Sequence, residues 1–213
     1  MLDYQREFIQ DCIKEKVLQF GSYSLKSGRS SPYFFNTGQF NTGRSIYSLG
    51  LAYANAIINH EVQFDAIFGP AYKGIPLGTA VSIALSQKHG LDTPISFDRK
   101  EEKDHGERGK LLGAPLKNRV LIVDDVISSG LSMKRAMSLI QNEGARAIGV
   151  CIALDRQERG GHRKSAAVEI SEKYSIRVYS IIGLSDIIEY LSETAGFSKQ
   201  LKAIEAYRME YGA

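Results

Sequence analysis

Asp124 and Asp125 are adjacent carboxylates at the end of the apolar run Val120 to Val123, and Ser128-Ser129-Gly130 follows them closely. The run is β-branched residues and leucine, a buried-strand composition, and the residues from Ser132 to Glu143 read as a helix. A strand that leads through small and hydroxyl residues into a helix can make a phosphate site. Loop amides and the helix N-terminus aim donors and positive dipole at one place, and Gly130 lets an anion approach the backbone. Two carboxylates beside that cradle would repel phosphate and need another partner. Vicinal sugar hydroxyls suit them, because hydroxyls donate the hydrogen bonds that an ionised carboxylate can only accept. The stretch reads as a ribose 5-phosphate site. On its residues alone it reads equally well as a strand end whose acids serve as turn and cap residues.

Three further clusters could do related chemistry. GPAYKGIP, Gly69 to Pro76, follows a strand and opens a helix, so its amides can face an anion and Lys73 can add a point charge. Its glycine spacing is not that of a dinucleotide fingerprint, and an ordinary strand-to-helix turn is the plainer reading. Asp98 to Lys110 holds five acids, five bases, His105, two glycines and no apolar side chain. Such a stretch reads as a solvated, mobile surface loop, or as a lid able to close over an anionic substrate and exclude water. In LDRQERG, Arg156 falls just past a strand end, on the edge that also carries Asp124; its planar fork suits a carboxylate, and a surface arginine is the alternative. Phe34 and Phe35, adjacent on a short strand, point to opposite faces, so one can be core while the other covers a flat ring. His60, His89 and His162 show no ligand spacing.

The elements that must position these groups alternate. A helix over 3–20, ended by Gly21, precedes two extended pieces, Tyr23 to Lys26 and Pro32 to Asn36, joined by a turn and expected to form a small hairpin over the main sheet. Beyond Gly43 the pattern predicts helix 45–59, strand 65–68, a helix to His89, strand 94–98, strand 120–124, helix 132–143, strand 147–154, helix 166–174 and strand 177–182. Helices 185–194 and 198–211 close the chain. Alternating strands and helices imply a mostly parallel sheet covered on both faces, with ligands beyond the carboxyl ends of the strands.

Composition narrows the field. A formal net charge of +3, without a basic stripe interleaved with aromatics, argues against nucleic acid. No apolar run reaches the ~20 residues of a membrane span, and the acidic, amphipathic N-terminus is not a signal peptide. Cys12 and Cys151 each sit in apolar sequence, as buried thiols in a reducing compartment would. A soluble cytoplasmic protein is expected.

Val120 to Ser132 resembles the phosphoribosyl-pyrophosphate (PRPP) motif of the type I phosphoribosyltransferases. With LKSGRSSPYFFN from Leu25, GPAYKGIP from Gly69, FDRKEEKDHGE from Phe97 and LDRQERG from Leu154, the chain is identified as a member of the orotate-using branch of that family. The resemblance implies an α/β fold, a mostly parallel sheet flanked by helices, in a single domain over 1–213, with residues 1–42 as a helix and small N-terminal hood. It implies transfer of the phosphoribosyl group from PRPP to orotate in pyrimidine synthesis, with magnesium, in a homodimer whose lid reaches the partner's site. PRPP would be bound by Lys26, Tyr72, Lys73, Arg99, Lys100, Lys103 and His105, and by Asp124, Asp125, Val126, Ile127, Ser128, Ser129, Gly130, Leu131 and Ser132. Orotate would be bound by Phe34, Phe35, Ser128 and Arg156. Catalysis would fall to Lys73, Arg99, Lys103, His105, Asp124 and Asp125, and a non-proline cis peptide is implied between Ala71 and Tyr72. Leu131 and Arg108 depart from the hydroxyl residue and glycine common in relatives. The alternative readings are a purine phosphoribosyltransferase, a PRPP-sensing nucleic-acid-binding regulator on the same fold, and a signalling receiver. The receiver would want an acid where Gly69 stands.

Overall fold

Alternation along three central strands fixes the centre of the molecule. In β3 (Ala66–Gly69), β6 (Arg119–Val123) and β7 (Arg146–Asp155), side chains enter two different cores by turns. Ile67, Leu121, Val123 and Cys151 face one core, while Ala66, Phe68, Val120, Ile122, Val150 and Ile152 face the other. A sheet buried on both faces in this way is the parallel kind, with crossover helices on each side. A computed structural model describes residues 1–213 except 26, 104–108, 128–130 and 161–163; side chains are described for the rest apart from 100–103, 109 and 131.

The main sheet runs in the order β5-β4-β3-β6-β7-β8, with β4 at Ile95–Lys103, β5 at Gly109–Gly113 and β8 at Arg177–Gly183. Every pair is parallel except β4 with β5. The first core is closed by α1 (Asp3–Lys14), α2 (Gly43–Asn59), α3 (Gly74–His89), α6 (Leu184–Glu193) and α7 (Ser198–Tyr211). The second is closed by α4 (Leu131–Asn142) and α5 (Ala166–Tyr174). Thr42 caps α2 by accepting from the Ser45 amide, and Ser165 caps α5 by accepting from Val168. Among the described residues, no helix is long and apolar enough to cross a membrane.

Two expectations change. The first helix ends at Lys14, not near Gly21, because Lys16 takes a left-handed φ of 58° and the chain turns into β1 (Leu18–Ser24), with Val17 and Leu18 buried. The hood is therefore a longer hairpin, β1 with β2 (Ser30–Phe35), pairing Leu18 with Phe35 and Gln19 with Phe34. The polar stretch from Asp98 is not simply a loop. Strand β4 continues through it to Lys103, β5 returns antiparallel, and Asp98 is only 4% exposed.

Candidate active site

The site lies where β3 and β6 end and their loops meet. Gly69 closes β3 and Gly74 opens α3 in direct contact: a Cβ on Gly69 would lie 2.1 Å from the Gly74 carbonyl oxygen. Only glycine lets the turn fold back this tightly. The Ala71–Tyr72 peptide is cis, as the family resemblance implied. Tyr72 is 67% exposed, whereas Lys73 swings across to the end of β6. There its Nζ donates to Asp125 Oδ2 at 2.6 Å.

Backbone and side chain together hold the acid pair. The Asp125 amide donates to Asp124 Oδ1 at 2.9 Å, and the Val126 amide donates to Asp125 Oδ1 at 2.8 Å. Ser132, at the start of α4, reaches Asp124 Oδ2 at 3.4 Å. Burial pushes the Asp124 carboxyl up to about 6, and the neighbouring Asp125 charge adds to the rise. The Asp125 amide, Ser132 and Lys73 pull it back only in part. Asp125, 8% exposed, has Lys73 as its counter-ion.

Two residues here carry no motif signal. Thr37, buried in the turn after the hood, donates to Asp125 Oδ2 at 3.3 Å. Tyr53, fully buried on α2, donates its hydroxyl to the Asp124 carbonyl at 2.7 Å and so fixes the backbone between the two acids. Val126 and Ile127 pack their side chains on opposite cores, and the Val126 amide is already used by Asp125.

Arg156 follows the end of β7 and turns toward the hood. Its Nη2 donates to Glu158 Oε1 at 2.5 Å and to Ser31 Oγ at 3.2 Å, and the guanidinium lies 4.3 Å from the Tyr33 ring centroid. Glu158 also accepts from the Tyr33 hydroxyl at 3.2 Å and lies 3.9 Å from Arg29. Alternation on β2 separates the two phenylalanines. Phe35 is half-buried against the first core, and Phe34 is exposed and stacked on Tyr23 with centroids 5.4 Å apart. Arg156 thus meets the hood on the face of Ser31 and Tyr33, and Phe34 occupies the other face.

The structure brings together Lys73, Asp124, Asp125 and Ser132 at one strand end. Arg99 lies on β4, and its carbonyl accepts from Arg135 Nη2 of α4. Lys26, His105, Ser128, Ser129 and Gly130 lie outside the described residues, as do the side chains of Lys100, Lys103 and Leu131.

Glycine turn, acid pair and helix start at the carboxyl edge of a parallel sheet mark an α/β protein whose candidate site lies at its strand ends. The sequence pattern of the phosphoribosyl transferase domain matches residues 36–183. The chain is 52% identical over 212 residues to the orotate phosphoribosyltransferase of Thioalkalivibrio sulfidiphilus, with 100% of each chain covered. It is 51% identical, with the same coverage, to that of Pseudomonas aeruginosa. Among solved structures, orotate phosphoribosyltransferase from Francisella tularensis superposes with a TM-score of 0.88 at 39% identity, covering 97% of this chain and 100% of the other. The chain belongs to the orotate phosphoribosyltransferase family.

Proposed function

We propose that the protein displaces pyrophosphate from the anomeric carbon of PRPP by orotate, giving orotidine 5′-monophosphate for pyrimidine synthesis. The observation that carries this reading is the acid pair at the end of β6, with Lys73 from the facing loop on one carboxylate and Ser132 beside the other. Asp124 and Asp125 hold the ribose hydroxyls, and their charge favours a cation-like sugar. Residues 128–132 receive the 5′-phosphate. Lys73, Arg99, Lys103 and His105 take up the charge of the leaving pyrophosphate, so that catalysis rests on positioning and electrostatics. Arg156 takes the orotate carboxylate, for which it must share or exchange its Glu158 contact. Phe35 supplies an apolar flank on the hood, and Phe34, on the outer face, is assigned to the same pocket by the family resemblance alone.

Magnesium belongs to this reading as an ion carried on the pyrophosphate. Among the described residues there is no group of three or more His, Cys, Asp and Glu able to cage a metal. Asp124 and Asp125 are nevertheless hard oxygen donors at the site, and they suit an ion that keeps waters and binds through substrate phosphates. When bound, it would neutralise leaving-group charge. The active form is proposed to be a cytoplasmic homodimer in which the lid of one subunit completes the site of the other. The buried, unpaired Cys12 and Cys151 thiols support a reducing compartment.

The decisive assay follows orotate absorbance with PRPP and magnesium, beside hypoxanthine, adenine and uracil. Orotate alone should be consumed; turnover of a purine without orotate would overturn the reading. Site sharing is tested by refolding Lys103→Ala with Asp125→Asn, each nearly inactive alone. Statistical mixing leaves half the dimers with one intact site, so activity should return to roughly a quarter of wild type. Tagged, verified mixed dimers that stay inactive would place lid and acids in one chain.

A further inference from the structure

Asp98 lies within the most polar stretch of the chain and is nevertheless buried, at 4% exposure. Its two carboxylate oxygens face different elements. Oδ1 accepts from the Ala71 amide in the glycine turn, and Oδ2 pairs with Arg135 Nε of α4 at 2.9 Å. Arg135 then donates through Nη2 to the carbonyl of Arg99, the residue after Asp98 on β4. One carboxylate and one guanidinium therefore join three elements that are far apart in sequence: the turn that carries Lys73, strand β4, and helix α4.

Such a group is costly to bury unless each oxygen is matched. The geometry here matches both, and the Arg135 fork serves two acceptors at once. We infer that Asp98 and Arg135 are positioning residues for PRPP. They hold the glycine turn, strand β4 and the start of α4 in a single register. This rests on the proposed use of PRPP by the site, and it assigns to neither residue a contact with substrate. On the proposed reading, PRPP would lie between the turn and α4, and orotate would meet the hood and Arg156. Loosening the bridge should consequently weaken PRPP and spare orotate.

The measurements are PRPP affinity by calorimetry, KM for each substrate in the orotate assay, and the thermal midpoint. Asp98→Ala frees both the Ala71 amide and Arg135 and should weaken PRPP by about tenfold or more, the scale of losing charge-assisted hydrogen bonds. KM for orotate at saturating PRPP should stay within about twofold. Asp98→Asn keeps an oxygen for Ala71 and should cost less than Asp98→Ala. Arg135→Gln should resemble Asp98→Asn, and the double variant Asp98→Asn with Arg135→Gln should be no worse than either single change, because the two amides can pair. Should Asp98→Ala fail to fold, those two milder variants and their double carry the same comparison. Equal loss for both substrates, additive losses in the double variant, or unchanged PRPP affinity would overturn the inference. If the wild-type protein binds PRPP and ignores orotate, the orotate reading falls, and calorimetry still decides the role of Asp98.

Discussion

The two ends of strand β6 hold carboxylates in opposite condition. At its start, Arg119 grips Asp65 with Nε and Nη2, each at 2.9 Å, and adds its own amide at 3.0 Å. These hydrogen bonds in open solvent pull the Asp65 carboxyl down to about 2. At its end, Asp124 has its neighbour's amide and the more distant Ser132, and burial pushes it up to about 6. One carboxylate takes three donors from a single arginine and still meets water. The other has lost water faster than the chain replaces it, so it retains capacity for donors brought by a ligand. On that reading a finished ion pair marks the structural edge of the sheet, and an undersupplied carboxylate marks its working edge.

The largest effect is expected at the acid pair itself. Asp125→Asn and Asp124→Asn should each lower kcat/KM for PRPP by roughly a hundredfold, the scale of two charge-assisted hydrogen bonds to the ribose. Steady-state kinetics at saturating orotate measures this. A loss below about threefold would remove the acids from the reaction.

Arg156→Lys probes the hood side of the same edge. Lysine keeps the charge but has no fork to divide between Glu158 and a ligand carboxylate. KM for orotate should rise by about tenfold, with PRPP affinity changing by less than about threefold. Parallel losses for the two substrates would detach Arg156 from orotate.

The raised Asp124 carboxyl also predicts a pH dependence with a definite sign. Its folded value of about 6 lies above the ordinary 3.8, so the native state holds its proton longer than the unfolded chain. Stability therefore falls as pH rises from about 4 to about 6 and is depressed by a constant amount above that. Asp124→Asn should stabilise the protein at pH 8, on the order of 2 kcal/mol once partial exposure is allowed for, and the advantage should vanish near pH 4. Denaturation midpoints at the two pH values measure it. In the same window, kcat/KM for PRPP should climb through about pH 6 in the wild type, and the residual activity of Asp124→Asn should lack that limb.

What the sequence made legible divides along similar physical lines. From Gly43 onward the order of strands and helices, β5 apart, is readable because the central strands are apolar on both faces and α2, α4, α5 and α6 each carry an apolar stripe. Lys73, Asp124 and Asp125 are readable because chemistry needs those types at a strand-to-helix loop. Asp98 is not, because its burial depends on Ala71 and Arg135, which are far from it in sequence. Strand β5, Gly-Lys-Leu-Leu-Gly, is too short to show a period and is made by pairing with β4. Glu158 stands two residues past Arg156 in the same motif; the motif signals an arginine, and only the fold shows what occupies its fork.

The smallest effect is expected at the other end of β6. Asp65 is lowered, so its pairing contributes stability above the unfolded value of 3.8, and that contribution is lost as pH falls toward about 2. The pair is half-exposed, so salt screens it and its contribution at neutral pH is slight. Asp65→Asn should leave both KM values and kcat unchanged at pH 7, with the smallest midpoint shift of the series, and 1 M salt should erase what shift there is. Arg119 would then stand without its carboxylate in open solvent, where water replaces the lost acceptor. A fall in activity would mean that the start of β6 is mechanically linked to the acid pair at its end. The structural edge and the working edge could then no longer be treated as separate.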